Sequence, residues 1–112
     1  MKKPLLSLTA LAFAASLCAA ADGPKLYEKF CLKCHGATGK GDGKSAKLFD
    51  PKPNDFTNAK WQAKVTDEQV FDATKNGKAA KSIKVGKKMP EFSKKMKDDE
   101  IQAVVKVVRG FK

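Results

Sequence analysis

The chain has 112 residues, enough for one small domain and not for two. Lysine and arginine outnumber aspartate and glutamate, 23 to 12, giving a formal net charge of +11, and the chain holds three cysteines and a single histidine. That inventory excludes two imidazoles from this chain on one metal, and if an N-terminal segment carrying Cys18 is removed, Cys31, Cys34 and His35 leave no second Cys/His pair for a structural zinc.

The N-terminus reads as an export signal. Lys2 and Lys3 supply a positive start, and an uncharged run follows from Pro4 to Ala21. Ala19 and Ala21 give the small-x-small spacing read by signal peptidase, so residues 1–21 are expected to be a cleaved signal peptide. As a membrane anchor the run falls slightly short of the about 20 residues a spanning helix needs, and it carries Ser7, Thr9 and Ser16. Lipidation at Cys18 is disfavoured by the bulk of Leu17. Residues 22–112 then form the single domain, in the periplasm, with Cys31 and Cys34 as its only cysteines. A domain this small often relies on a disulfide, metal or cofactor for stability.

Three helices are predicted along it. The first spans residues 22–35, with Pro24 in its opening turn and Leu26, Tyr27 and Phe30 leading into Cys31 and Cys34. The second spans 65–77: Thr66 and Gln69 fit a capping box, Val65 and Val70 a hydrophobic staple, and Gly77 a left-handed stop. The third follows Met96, with Ile101, Val104, Val105, Val108 and Phe111 on one stripe of period 3.6 and Asp98, Asp99 and Glu100 at the end where the dipole favours anions. Residues 36–64 and 78–95 are expected to be long irregular segments, which suggests that they surround something.

The stretch Glu28 to Ala46 holds the chemistry. Its Gly-Lys-Ser resembles a phosphate loop, but Thr38 stands where Walker A needs glycine, and the stretch follows a helix instead of a strand. Gly39, Gly41 and Gly43 are better read as tight backbone turns. A dithiol redox site would want a βαβ context, and a Cys31–Cys34 disulfide closes too small a loop to constrain the unfolded chain much. Cys31-Leu32-Lys33-Cys34-His35 is a C-x-x-C-H sequence, the signature of covalent haem. Two thiols add to the two vinyl groups of one porphyrin edge, and the next residue turns its imidazole onto the iron. With His35 on one axial side, the other is left to Met89, Met96, a lysine or nothing. Met96 is explained as the staple of the third helix. Met89 lies in a long loop, stiffened by Pro90, and is the preferred second ligand.

In order, these features resemble the class I c-type cytochromes, with one haem and His/Met ligation. The matching residues are Tyr27 four positions before the first cysteine, the C-x-x-C-H, the Met89-Pro90 pair and the valine helix with its acidic start; residues 39–57 look like a loop variant of one branch of that family. The resemblance covers residues 22–112 and implies an all-α fold: a small cytochrome c-like domain of about three main helices and long loops around one covalent haem c. It implies thioethers at Cys31 and Cys34, axial iron ligation by His35 and Met89, and a carbonyl of Pro51 or Pro53 accepting from the far nitrogen of His35. Phe56 and Trp61 would pack near the haem. Val107 departs from the aromatic that many relatives carry there, and Lys97 from the expected Ser or Thr cap.

An iron with both axial positions filled favours one-electron transfer over catalysis, so a periplasmic carrier between respiratory redox partners is expected, and not an enzyme. Lys29 and Lys33 flank the C-x-x-C-H, and Lys87, Lys88, Lys94 and Lys95 flank Met89, which suggests transient docking of acidic redox proteins. A monomer is expected, with no nucleic-acid partner and at most weak association with anionic membrane surfaces. The alternatives are a haem-based ligand binder or sensor with a labile Met89, and a module docked on a larger oxidase or reductase.

Overall fold

The computed structural model of the chain describes residues 21–81 and 89–112; the expected signal peptide up to Ala20, and Lys87 and Lys88, lie outside them. Five α-helices and two 3-10 turns make up the regular structure of the described residues, with no strand among them.

Helix α1 (Gly23–Phe30) starts where Asp22 Oδ1 accepts from Lys25 N at 3.1 Å. The single helix expected over 22–35 is interrupted at Cys31, where φ is −117°, and resumes as α2 (Leu32–His35). The break separates two attachments: α1 packs on the last helix, whereas α2 is held by the glycine loop that follows it. A 3-10 turn at Ala46–Leu48 comes next.

The sequence reading of 36–64 as wholly irregular is corrected by α3 (Ala59–Lys64). This six-residue helix is too short to show an apolar stripe; it forms because Asn58 Oδ1 caps it, accepting from Trp61 N at 2.9 Å.

Helix α4 (Asp67–Asn76) carries the expected reciprocal capping box: Thr66 Oγ1 accepts from Gln69 N at 3.1 Å, and Gln69 Oε1 from Thr66 N at 3.0 Å. Val65 and Val70 are both buried in one cluster, as a staple requires. Helix α5 (Asp98–Gly110) begins after Lys97, whose backbone N–H is taken by Glu100 Oε1 at 2.8 Å, half of a capping box. Met96 is 4% exposed and sits inside the core with Ile101.

Two ion pairs show that α4 and α5 run antiparallel. Arg109 Nε meets Asp67 Oδ1 at 2.9 Å at one end, and Lys75 Nζ meets Asp98 Oδ1 at 3.2 Å at the other. Such solvent-facing pairs contribute about 0–1 kcal/mol each. The burial of Ile101, Val104, Val105 and Val108, none more than 3% exposed, contributes about 1.5–3 kcal/mol per side chain and dominates. Helix α1 crosses the same helix: Gly23 lies against Ala103, the Tyr27 ring stands 5.2 Å from Phe111, and Val107 packs half-buried beside them. The central helix thus has α1 and α4 packed on it, and the opposite side of the core opens into a cleft.

Candidate functional site

The cleft is open to solvent at its mouth and is walled mainly by apolar side chains, as ligand sites commonly are. Its wall brings together Cys31, Cys34, His35 and Met89, three consecutive-motif residues and one from far along the chain. The remaining lining is mostly apolar, including Phe30, Phe49, Phe56, Trp61, Phe92, Val104 and Val108. Met96 does not line it.

The motif is placed by α2. His35 N donates to the Cys31 carbonyl at 2.9 Å and Cys34 N to the same carbonyl at 3.2 Å, so one tight turn aims all three side chains at the cleft. The carbonyls at the end of a helix have no intrahelical partner. Here the glycine loop supplies them: Ser45 N donates to Lys33, Gly43 N to Cys34 and Gly41 N to His35, at 2.8–3.0 Å. Those amides are therefore committed to α2 and do not form a phosphate cradle.

The imidazole is held on its edge and its face. His35 Nδ1 donates to the Asn54 carbonyl at 3.2 Å, and the Phe56 ring stacks on it with centroids 4.4 Å apart and planes 16° from parallel. The expected partner, the carbonyl of Pro51 or Pro53, is corrected to that of Asn54. The Pro53 carbonyl faces Gly41 instead, so closely that a Cβ there would lie 2.5 Å from the oxygen; Gly41 also holds φ at +79°. Burial lowers the His35 pKa, and the Asn54 bond opposes this in part. A neutral ring with Nδ1–H spent on Asn54 presents the Nε2 lone pair as its ligand atom.

Met89 reaches the cleft from the segment after the undescribed residues. Its carbonyl accepts from Lys78 N at 3.1 Å, and Phe92 N is shared between the carbonyls of Thr74 and Lys75, both at 3.2 Å. The segment is thereby fastened to the end of α4. Gly77, with φ +56°, allows the approach: a Cβ on it would lie 2.4 Å from the Pro90 carbonyl oxygen.

Cys31 and Cys34 are free thiols, not a disulfide. Burial pushes the Cys31 thiol up to about 12, with Cys34 adding to it, and burial raises Cys34 against the opposing charge of Lys33. Thiols held neutral by burial are poor zinc ligands, since zinc takes the thiolate, and among the described residues no three His, Cys, Asp or Glu side chains group as a metal site. Two thiols, one imidazole nitrogen and one thioether on an apolar wall fit a haem c in donor type. Missed by sequence reasoning were Asn54, which acts through its backbone and so leaves no side-chain signal, and Phe49 and Phe92, which complete the wall.

The comparisons agree. The model of the family described as cytochrome c oxidase, cbb3-type, subunit III, matches residues 19–106. The solved structure of the KustC0563 c-type cytochrome is 35% identical, covering 81% of this chain and 98% of its own, with a TM-score of 0.67. A tyrosine-to-phenylalanine mutant of Kustc0563 is 34% identical over 81% of this chain and 99% of its own, with a TM-score of 0.65. A chain of the Kuenenia stuttgartiensis reducing HAO-like protein complex Kustc0457/Kustc0458 is 30% identical over 98% of this chain, with a TM-score of 0.63; the present chain spans 51% of it. No curated protein matches. With the helical fold, the C-x-x-C-H turn and the shared cleft, the chain belongs to the cbb3-type subunit III family and is a class I c-type cytochrome, a haem protein of electron transfer.

Proposed function

We propose that the chain is a soluble, periplasmic one-electron carrier holding a single haem c, and that it has no catalytic activity of its own. The observation that carries this reading is the convergence of Cys31, Cys34, His35 and Met89 on one apolar cleft. Cys31 and Cys34 would hold the group through thioethers, and His35 Nε2 and the Met89 sulfur would be the axial ligands. When bound, the haem supplies a one-electron ferric/ferrous couple, and a thioether opposite an imidazole favours the ferrous state. The residues contribute orientation and dryness: Asn54 and Phe56 fix the imidazole, and the aromatic wall excludes water.

A positive rim supports docking of acidic redox proteins. Lys29 Nζ lies 5.2 Å above the Phe30 ring and Lys95 Nζ 5.9 Å above Phe92, and those two rings, themselves in edge contact, line the cleft. Exposed Lys33 and Lys94 add to it. Charge of this kind speeds encounter and makes it salt-sensitive.

The test of ligation is the absorption spectrum of protein matured with haem in a bacterial periplasm. Wild type is expected to be low-spin, with the ferric sulfur-to-iron charge-transfer band; Met89→Ala is expected to lose that band and to have a lower reduction potential. A high-spin wild type, unchanged by Met89→Ala, would instead establish an open iron and a ligand binder or sensor.

A second reading, a module docked on a larger redox assembly, is favoured by the family description as an oxidase subunit and by the neighbour solved within a protein complex. Electron-transfer rates with an acidic partner that fall steeply as salt rises from low to physiological strength are expected for the free carrier. Stable co-purification that survives such salt would decide for the module.

A further inference from the structure

Gln62 is 5% exposed and does not line the cleft, yet it is tied to the site. Its Nε2 donates to the Phe56 carbonyl at 2.7 Å and to the Val108 carbonyl, near the end of α5, at 2.9 Å. Two acceptors on one nitrogen fix the amide's orientation, since a reversed amide would set Oε1 against both carbonyls. That orientation leaves Oε1 buried with no hydrogen-bond partner, a cost an apolar side chain would avoid.

The amide's effect is on Phe56. The Phe56 N–H donates to the Gly39 carbonyl at 2.6 Å, so with Gln62 both backbone groups of this residue are held. Its ring stacks on His35, and two residues earlier Asn54 supplies the carbonyl for His35 Nδ1. One short segment therefore grips the imidazole by edge and face, and Gln62 fastens that segment to α5.

We propose that Gln62 is a positioning residue for His35: by clamping Phe56 to the end of α5 it holds the imidazole in the orientation that sets the donor strength of Nε2 toward iron, and with it the ferric/ferrous equilibrium. The inference rests on the assignment of His35 as iron ligand.

The test uses the haem-loaded protein with Gln62→Met, similar in length but unable to donate, and Gln62→Glu, which sets a carboxylate against two carbonyls. Val105→Ala, in the core but away from the cleft, serves as a control for lost stability. The readouts are the haem-shifted His35 ring protons, their cross-relaxation with Phe56, and the reduction equilibrium. Both Gln62 variants are expected to lose most of the His35–Phe56 cross-relaxation and to change the reduction equilibrium several-fold, while Val105→Ala is less stable but keeps both. If Gln62→Met fails to mature, Gln62→Asn, an amide too short to span both carbonyls, is read in the same way. Unchanged signals and equilibrium in folded Gln62 variants, or equal changes in Val105→Ala, would overturn the proposal. A wild type without haem-shifted His35 protons would overturn the ligand assignment and this inference together.

Discussion

Replacing both Cys31 and Cys34 by serine is expected to abolish haem retention on a denaturing gel, whereas either single replacement leaves a weaker but detectable haem band. The two sulfurs stand one turn apart and line the same wall, so each has its own bond to make. A serine hydroxyl does not replace a thiol in that addition. The consequence reaches beyond the cofactor. The wall of the cleft includes Phe56, Val70, Phe92, Val104 and Val108, which also belong to the core cluster. Emptying it exposes apolar surface at about 25 cal/mol per Å², against a total stability of only about 5–15 kcal/mol for ordinary domains. The double variant should therefore also lose most of its helical circular dichroism. Retention of a full haem band by the double variant would show that the cysteines do not attach the group.

The second large effect is expected from Gly77→Ala. An alanine there must accept a positive φ, at about 1–3 kcal/mol, and its Cβ must displace the Pro90 carbonyl, which is backbone and yields only by moving the Met89 segment. Urea unfolding should show at least that loss of stability, and the charge-transfer band should weaken as Met89 is drawn off the iron. Gly110→Ala is the matched control, because nothing lies within 4 Å of a Cβ at Gly110 and alanine is the better helix former there. A band undiminished in Gly77→Ala would mean that Met89 is positioned by something other than its contact with the end of α4.

Much of this was legible in the residues, for physical reasons. The box at Thr66 and Gln69 and the acidic start at Asp98 are local signals, and the stripe from Ile101 to Val108 repeats often enough to stand out. The C-x-x-C-H stands out in the residues because its spacing is fixed, and the structure brings its two thiols and its imidazole to one wall. Helix α3 was not, since six residues give no periodicity and its cause is one side chain, Asn58. The interruption at Cys31 was hidden because α1 and α2 are held by different partners far along the chain. The Asn54 carbonyl escaped because backbone acceptors are the same at every residue, and which one faces the ring is set by the packing of the loop. Gln62 stands in a segment with no periodicity to mark it, and its burial is a tertiary fact.

Helix α5 carries attachments of different kinds at its two ends. Near its start, Asp98 pairs with Lys75 on the last turn of α4, the turn whose carbonyls anchor the backbone just after Met89. Near its finish, the Val108 carbonyl and the Phe111 ring engage Gln62 and Phe56, the supports of His35. The helix is thus a caliper, its two jaws set on the segments that carry the thioether and the imidazole. Removing one residue from its middle would bring the jaws about 1.5 Å closer and twist one against the other by about 100°, so the length of α5 is a dimension of the proposed iron site.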